Sequence, residues 1–352
     1  MIGMRRLVSS RQLLMLPAFV AGVCLVGCSA VAAQDAGQGA TRNAAPDAAQ
    51  GAAPNAAQDA AQGAAPNAAQ DAAQYEPKRG QAGKDVVWIP TPDALVTRML
   101  KLAQVRSTDF VVDLGAGDGK IVIAAAKEFG ARGLGLEYDP KLVGHAQHNA
   151  SEAGVSALAE FRQADIFATD FSRADVVTMY LLPDLNLKLR PTLMAMKPGT
   201  RVVSHQFTMG NWRPDETSWV QNRPAYLWIV PANAGGTWKA SWPDGAGTAT
   251  GELSLEQAFQ ELKGAIEFGP IRTSLRKPRL HGSRLEFAFT DAGGVLREVE
   301  AVVAGERMQG SVAGPQGTVA FTASREGGAP PVEGAAAASS EEVVNAMRLL
   351  GE

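Results

Sequence analysis

The chain has 352 residues, with 33 basic and 36 acidic side chains and a formal net charge of -3. That balance excludes a strongly basic nucleic-acid binder, and the length allows two domains once low-complexity stretches are set aside. The two cysteines, Cys24 and Cys28, lie near the N-terminus, so the chain beyond them can form no disulfide and no cysteine–zinc site.

The leader opens with Arg5, Arg6 and Arg11, followed by the uncharged apolar run Leu13–Gly27. This is a signal-peptide pattern, too short for a confident membrane span. Leu25-Val26-Gly27-Cys28 has the form of a bacterial lipobox, in which cleavage precedes a lipidated cysteine. Residues 1–28 are therefore read as a lipoprotein signal peptide with lipidation at Cys28. Ordinary cleavage after Ala30-Val31-Ala32 is the alternative. Ser29, where an acid would favour retention, fits release to the outer membrane. The expected location is the bacterial cell envelope, lipid-anchored on the outer-membrane or periplasmic side, or the cytoplasm if the signal is not used.

Residues 29–84 read as a disordered linker. The unit GAAPNAAQDAAQ occurs at Gly51–Gln62 and Gly63–Gln74, with a degenerate copy at Gly39–Gln50. Almost no large apolar residue is present, so the stretch cannot bury a core, and proline interrupts every repeat. A spacer from a membrane and neutral repeat expansion both fit.

A domain over 85–232 follows. Asp85–Ile89 and Pro90-Thr91-Pro92 lead to a helix over Asp93–Ala103, and Thr91 is either a ligand contact or part of a capping turn. Phe110–Val112 reads as a buried strand ending at Asp113. Gly115, Gly117 and Gly119 then alternate into a helix over Lys120–Phe129. A strand, a glycine turn and a helix N-terminus form the usual site for a nucleotide-like ligand in an open α/β sheet. The pattern D-x-G-x-G-x-G differs from the dinucleotide fingerprint G-x-G-x-x-G. A carboxylate at that point repels a pyrophosphate and attracts an ammonium and a sulfonium, which favours S-adenosylmethionine over NAD.

Gly133–Glu137 is the second strand, and Glu137 lies about twenty residues past the glycine turn, where an acid accepts ribose hydroxyls. Asp139 and Pro140 open a helix through Glu152, which carries His145 and His148 without a third metal ligand nearby. Ala159–Arg162 is a third strand. Beyond it, Asp165 is an acceptor for an adenine amino group or a surface acid, with Ile166 against the ring. Ala174–Leu182 is a continuous apolar strand of the kind covered on both faces. Asp184 can cap a helix over Leu185–Met196. Arg201–Phe207 is a fifth strand, and two strand-like runs surround Asn222-Arg223-Pro224.

Trp88–Pro92, DLGAGDGKIVIAAA, GLEYDP and TMYLLPDLNLKLRPTLMAMKPGTRVVSHQF resemble one branch of the class I, seven-strand S-adenosylmethionine-dependent methyltransferases. That branch holds the mitochondrial protein-lysine methyltransferases acting on the ATP synthase c subunit and the adenine nucleotide translocase, with prokaryotic relatives. The resemblance covers about Val86 to Asp215. It implies an α/β, Rossmann-like seven-strand sheet and a protein-lysine N-methyltransferase. It also implies cofactor contacts at Thr91, Asp113, Gly115, Ala116, Gly117, Glu137, Tyr138, Asp165 and Ile166. Tyr180 and Leu181 would line the methyl-transfer channel, with Tyr180 orienting the acceptor amine. His205 is a polar group beside the site or a structural strand-end histidine. The export signal and the C-terminal extension depart from the family pattern. The alternative is a non-catalytic or small-molecule-methylating envelope lipoprotein that keeps the fold. A protein substrate, no metal, no nucleic acid and a monomer are expected.

Gly236–Arg325 alternates apolar and polar residues between glycine-rich turns, which suggests a small antiparallel sheet or barrel over 233–326. Trp238, Phe259, Phe268, Phe287, Phe289 and Phe321 would supply its core. Residues 327–352 read as a flexible tail with a short helix near Glu341–Leu350.

Overall fold

The computed structural model describes residues 75–335 and 338–348. The signal peptide, Cys28 and the repeats up to residue 74 lie outside the described residues.

Helix α1 (Asp93–Leu102) buries Leu95, Val96, Met99, Leu100 and Leu102 along one side. Strand β1 (Phe110–Leu114) is fully buried from Val111 onward. Helix α2 (Lys120–Phe129) starts and stops at left-handed glycines, Gly119 (φ 81°) and Gly130 (φ 68°). Strand β2 (Arg132–Glu137) leads to α3 (Pro140–Glu152), capped by the Asp139 side chain on the Lys141 N–H, with Pro140 in the first turn. Strands β3 (Ala159–Gln163) and β4 (Val176–Met179) follow. Helix α4 (Pro183–Met194) begins at Pro183, with Asp184 in its first turn and no side-chain cap, so Asp184 does not play the capping role expected of it. Strand β5 (Arg201–His205) precedes the hairpin of β6 (Glu216–Val220) and β7 (Arg223–Ile229). Its two turn residues, Gln221 and Asn222, have φ of 48° and 61°, the twist a two-residue hairpin needs.

These seven strands lie in the order β3-β2-β1-β4-β5-β7-β6. The first five are parallel, and β7 enters antiparallel beside β5. Continuous burial of β4 follows from its central place, with helices on both faces.

The C-terminal part forms β8 (Gly236–Asp244), β9 (Gly247–Ala258), β10 (Glu261–Phe268), β11 (Ile271–Ser274), β12 (Arg276–His281), β13 (Arg284–Thr290), β14 (Leu296–Ala304), β15 (Arg307–Gly314) and β16 (Gly317–Glu326). All neighbours are antiparallel, and β16 pairs with β8. β11 and β12 stand at the two ends of the strand order, with Leu275 alone between them; β11 pairs with β10 and β12 with β13, which brings the two edges of the sheet together. Strict alternation of buried and exposed residues along β14 is the period-2 signature of such a wall. Trp238, Trp242, Phe289 and Phe321 fill the interior with side chains.

Three expectations need correction. Phe259 does not join the barrel core. It sits at the β9–β10 turn with φ 52° and packs in the core of the first domain, stacked on Trp212 at 6.0 Å. Residues 75–84 are not an unstructured end of the linker. Gly80 donates to the Trp88 carbonyl, Trp88 donates back to Gln81, and Ala82 bridges Val87. The C-terminal stretch is not a free tail. Glu333 bridges Ala258, and helix α5 (Ser340–Arg348) returns to α4. The differences at Phe259 and α5 come from contacts between distant parts of the chain, which leave no local pattern, whereas residues 80–88 close a short turn on themselves.

The two domains are joined by named bonds. Trp212 Nε1 donates to Gln260 Oε1 at 2.9 Å, Gln260 Nε2 donates to the Arg213 carbonyl at 2.7 Å, and Ala232 N donates to the Gly282 carbonyl at 2.8 Å. Phe259→Ala empties the aromatic slot against Trp212 and should cost about 3–4 kcal/mol, as for other buried aromatic truncations. Differential scanning calorimetry should show the melting temperature fall, and an unchanged melting temperature would deny the contact any role in holding the domains.

Candidate functional site

The carboxyl ends of β1, β2 and β4 open onto a cavity of about 510 Å³. Strand order reverses between β1 and β4, the switch point where open α/β sheets take their ligands. Thr91, Asp113, Gly115, Ala116, Gly117, Glu137, Tyr138, Asp165, Ile166 and Tyr180 all line this one space.

The glycine turn is shaped by close approach. Gly115 (φ 79°) and Gly117 (φ 54°) take left-handed backbone, and a Cβ on Gly117 would lie 2.5 Å from the Trp88 indole nitrogen. Gly119 serves packing instead, because a Cβ there would strike Phe161 and Ala146. Glu137 ties the turn to the end of β2. Its Oε2 accepts from the Gly117 N–H at 2.9 Å, and its Oε1 accepts from Tyr138 and Asp139 at 2.8 and 3.0 Å. Of roughly four acceptor positions on a carboxylate, three are taken, which fixes the group and leaves one facing a ligand.

Asp113 is the unusual group. It is 2% exposed at the end of β1 and accepts a hydrogen bond from the Thr178 hydroxyl at 2.6 Å. Burial pushes its pKa up to about 7; the Thr178 bond opposes this, and repulsion from Asp118 and Glu137 adds to it. Asp118 is likewise raised, chiefly by burial. Lys120 is turned to Asp93 at 2.8 Å. A buried carboxylate without a cationic partner among the described residues, beside two more acids, fits a ligand that carries positive charge and hydrogen-bond donors.

A strap over residues 82–91 lines one wall. Lys84 on it bonds Asp165 Oδ2 at 2.7 Å and lies over the Tyr138 ring at 4.7 Å. That bond, with the Phe167 N–H on Oδ1, holds the Asp165 carboxyl below its usual range. Asp165 is thus already engaged, and a ligand amino group would share it with Lys84.

At the other end, Tyr180 stacks on His205 at 3.8 Å between ring centres and faces Phe207 at 6.1 Å. Burial raises the Tyr180 phenol, which stays protonated at neutral pH. His205 does not line the cavity. It is fully buried behind Tyr180, with Nδ1 3.1 Å from the Thr91 hydroxyl and Nε2 without a hydrogen-bond partner among the described residues. Burial, with Arg223 nearby, lowers its pKa to about 4, so the ring is neutral and braces Tyr180 and Thr91. The spacing of His145 and His148 also leads nowhere in the site: His148 Nε2 faces Glu152 at 3.5 Å on α3.

Sequence reasoning does not reach Lys84, Trp88 as a wall, Thr178 or Phe207. The aromatic in DVVWIPTP, outside any amphipathic period, is the one local signal for Trp88.

The family model described as the ANTKMT methyltransferase domain matches residues 113–216. A protein-lysine N-methyltransferase of Saccharolobus islandicus is 41% identical over 151 residues, covering 41% of this chain and 94% of that protein. The lysine N-methyltransferase of the ATP synthase c subunit from Xenopus laevis is 36% identical over 36% of this chain and 56% of its own length, so the chain spans about half of that relative. A solved structure described as an RNA methyltransferase from Salinibacter ruber with S-adenosyl-L-homocysteine is 55% identical, covers 40% of this chain and 94% of its own, and has a TM-score of 0.40. The ligand is S-adenosylmethionine, and the acidic, glycine-cradled cavity fits its ammonium, sulfonium and ribose.

The charge of Asp113 makes two outcomes testable. A cation binds its ionised form better, so affinity for S-adenosylmethionine should rise between pH 6 and 8 with proton release below about pH 7. Because its folded pKa is raised, ionisation destabilises the fold progressively above the unfolded value of about 3.9. Asp113→Asn should therefore melt higher than the wild type at pH 8 while losing the cofactor. Titration calorimetry and thermal melts check both, and a variant that melts lower would refute the uncompensated charge.

Proposed function

Because the chain belongs to the ANTKMT methyltransferase family, we propose that this S-adenosylmethionine-dependent enzyme methylates the side-chain amine of a protein lysine. The observation that carries the reading is the aromatic end of the cavity, Tyr180 against Phe207, in a chain 41% identical over 151 residues to a protein named for that activity.

S-adenosylmethionine, when bound, supplies an electrophilic methyl group on sulfur. Asp113 would hold its ammonium, Glu137 its ribose, and Asp165 with Ile166 its adenine. The protein's contribution on the acceptor side is to deliver an uncharged amine in line with that methyl. Two features do this. The apolar walls Leu181, Leu185 and Phe207 strip water from the ammonium and lower its pKa. Arg223 and Arg79, whose charges reach Tyr180, further disfavour a cation there. The Tyr180 hydroxyl accepts from the amine N–H and aims the lone pair, and His205 behind it keeps the ring in place.

The leader motif at Cys28 and the spacer that follows support an enzyme tethered to the cell envelope through lipid. Labelling with a palmitate analogue checks this: the wild type should be labelled and Cys28→Ala should not, whereas an unlabelled wild type would overturn the lipid anchor.

Transfer of a tritiated methyl group to lysine peptides, their arginine counterparts, RNA and small amines tests the acceptor. Label is expected in lysine peptides alone, and label in RNA or small amines instead would overturn the reading. Tyr180→Phe should lower kcat/KM about tenfold, the worth of one hydrogen bond in the transition state, with cofactor affinity unchanged.

A further inference from the structure

The segment between β5 and β6 carries Phe207 into the cavity on one side and buries Met209 and Trp212 on the other. Its backbone is held from three directions. Asn186 of α4, fully buried, donates Nδ2 to the carbonyls of Phe207 and Thr208 at 3.3 and 3.2 Å. Arg190 of α4, 2% exposed, donates to the Met209 carbonyl at 3.2 Å. The third hold comes from far along the chain: Glu342 of α5 binds the Arg190 guanidinium with both oxygens and accepts from the Asn211 N–H at 3.0 Å. The fit is close, since a Cβ on Gly210 would overlap the Glu342 carboxylate.

Elsewhere on α5, Glu341, Val344 and Asn345 are exposed. The Arg190 bond holds the Glu342 carboxyl below its usual range, with the Asn211 and Ser339 contacts adding to this. Arg190 and the loop lie within the family match over 113–216, whereas Glu342 lies beyond it.

We infer that Glu342 is a positioning residue for methyl transfer: it clamps the loop over 206–212 and so sets the wall that Phe207 presents to the acceptor amine. The inference rests on the acceptor reading of the Tyr180–Phe207 end. The cofactor end is built on Asp113, Glu137 and the glycine turn, at the carboxyl ends of β1 and β2, while the α5 grip falls on α4 and the loop after β5. The clamp therefore acts on the acceptor and not on the cofactor. A bidentate charged pair with a buried arginine suits this task, because its planar fork fixes direction as well as distance.

The test uses the full chain and two probes. One is S-adenosylhomocysteine. The other is an adenosine bisubstrate analogue carrying a butylamine arm where the methyl would leave. Calorimetry should show that the wild type gains affinity from the arm. In Glu342→Ala that gain should fall about tenfold, while S-adenosylhomocysteine binds within about twofold of the wild type. Glu342→Gln, which still accepts from Asn211, should fall between. Hydrogen exchange should speed up about tenfold over 206–212 in Glu342→Ala and stay unchanged in β1 and α2. Removing Glu342 takes a charged partner from the buried Arg190, which destabilises the fold. The Arg190→Met/Glu342→Met double variant removes both charges of this pair and should fold with a loop loosened at least as much, because the Arg190 bond to the Met209 carbonyl goes with it. Unchanged exchange in the loop, or a parallel loss of S-adenosylhomocysteine, overturns the clamp. A wild type that gains nothing from the arm counts against the lysine reading, and loop exchange then decides the clamp by itself.

Discussion

A carboxylate in a dry place governs this molecule. Asp113 sits near the carboxyl end of β1 with a hydroxyl donor, no cationic partner among the described residues and two other acids in range. Such a group disfavours the folded state whenever it is ionised, and a cationic ligand relieves it. The surrounding structure keeps that charge available. Thr178 comes from the next strand in register with it. The glycines bring the main chain close without side chains, and Glu137 is pinned by backbone N–H groups at the rim. Stability is given up at one point so that binding energy is large there.

The second constraint is the division of the cavity into a charged end and an aromatic end. Acids gather where the cofactor's positive groups would lie. Tyr180, Phe207 and the leucines gather at the opposite end, where the proposed acceptor amine would arrive uncharged. The positive charges of Arg223 and Arg79 are felt at that end, and the carboxylates dominate the other. On that proposal one electrostatic gradient serves both tasks: it attracts a cation at one end and disfavours one at the other.

The C-terminal barrel has its own filled core, and among the described residues none of its side chains lines the cavity. Its contribution is mechanical. Phe259 and Gln260 leave the barrel to lock Trp212, and the chain beyond the barrel returns α5 to Arg190. Both grips fall on the loop that bears Phe207. An addition remote from the cofactor therefore sets the shape of the acceptor wall.

Much of this is legible in the residues themselves. Periodicity locates the helices, the burial of β4 and the alternation of the barrel strands, because those patterns depend on neighbours in the chain. The acid before the glycine turn and Glu137 at the end of β2 are legible for the same reason, since strand, turn and helix fix their spacing. Phe259 and α5 escape such a reading because their order comes from surfaces that the local pattern does not reveal. His205 reads as chemistry because it is polar at a strand end, and only packing shows it behind Tyr180. By itself the sequence determined the fold class, the cofactor and the charged end of the site, all of which rest on local spacing and side-chain charge. The tertiary structure alone decided the strap, the place of Phe207 beside Tyr180 and the clamp on its loop, because those depend on which distant surfaces meet.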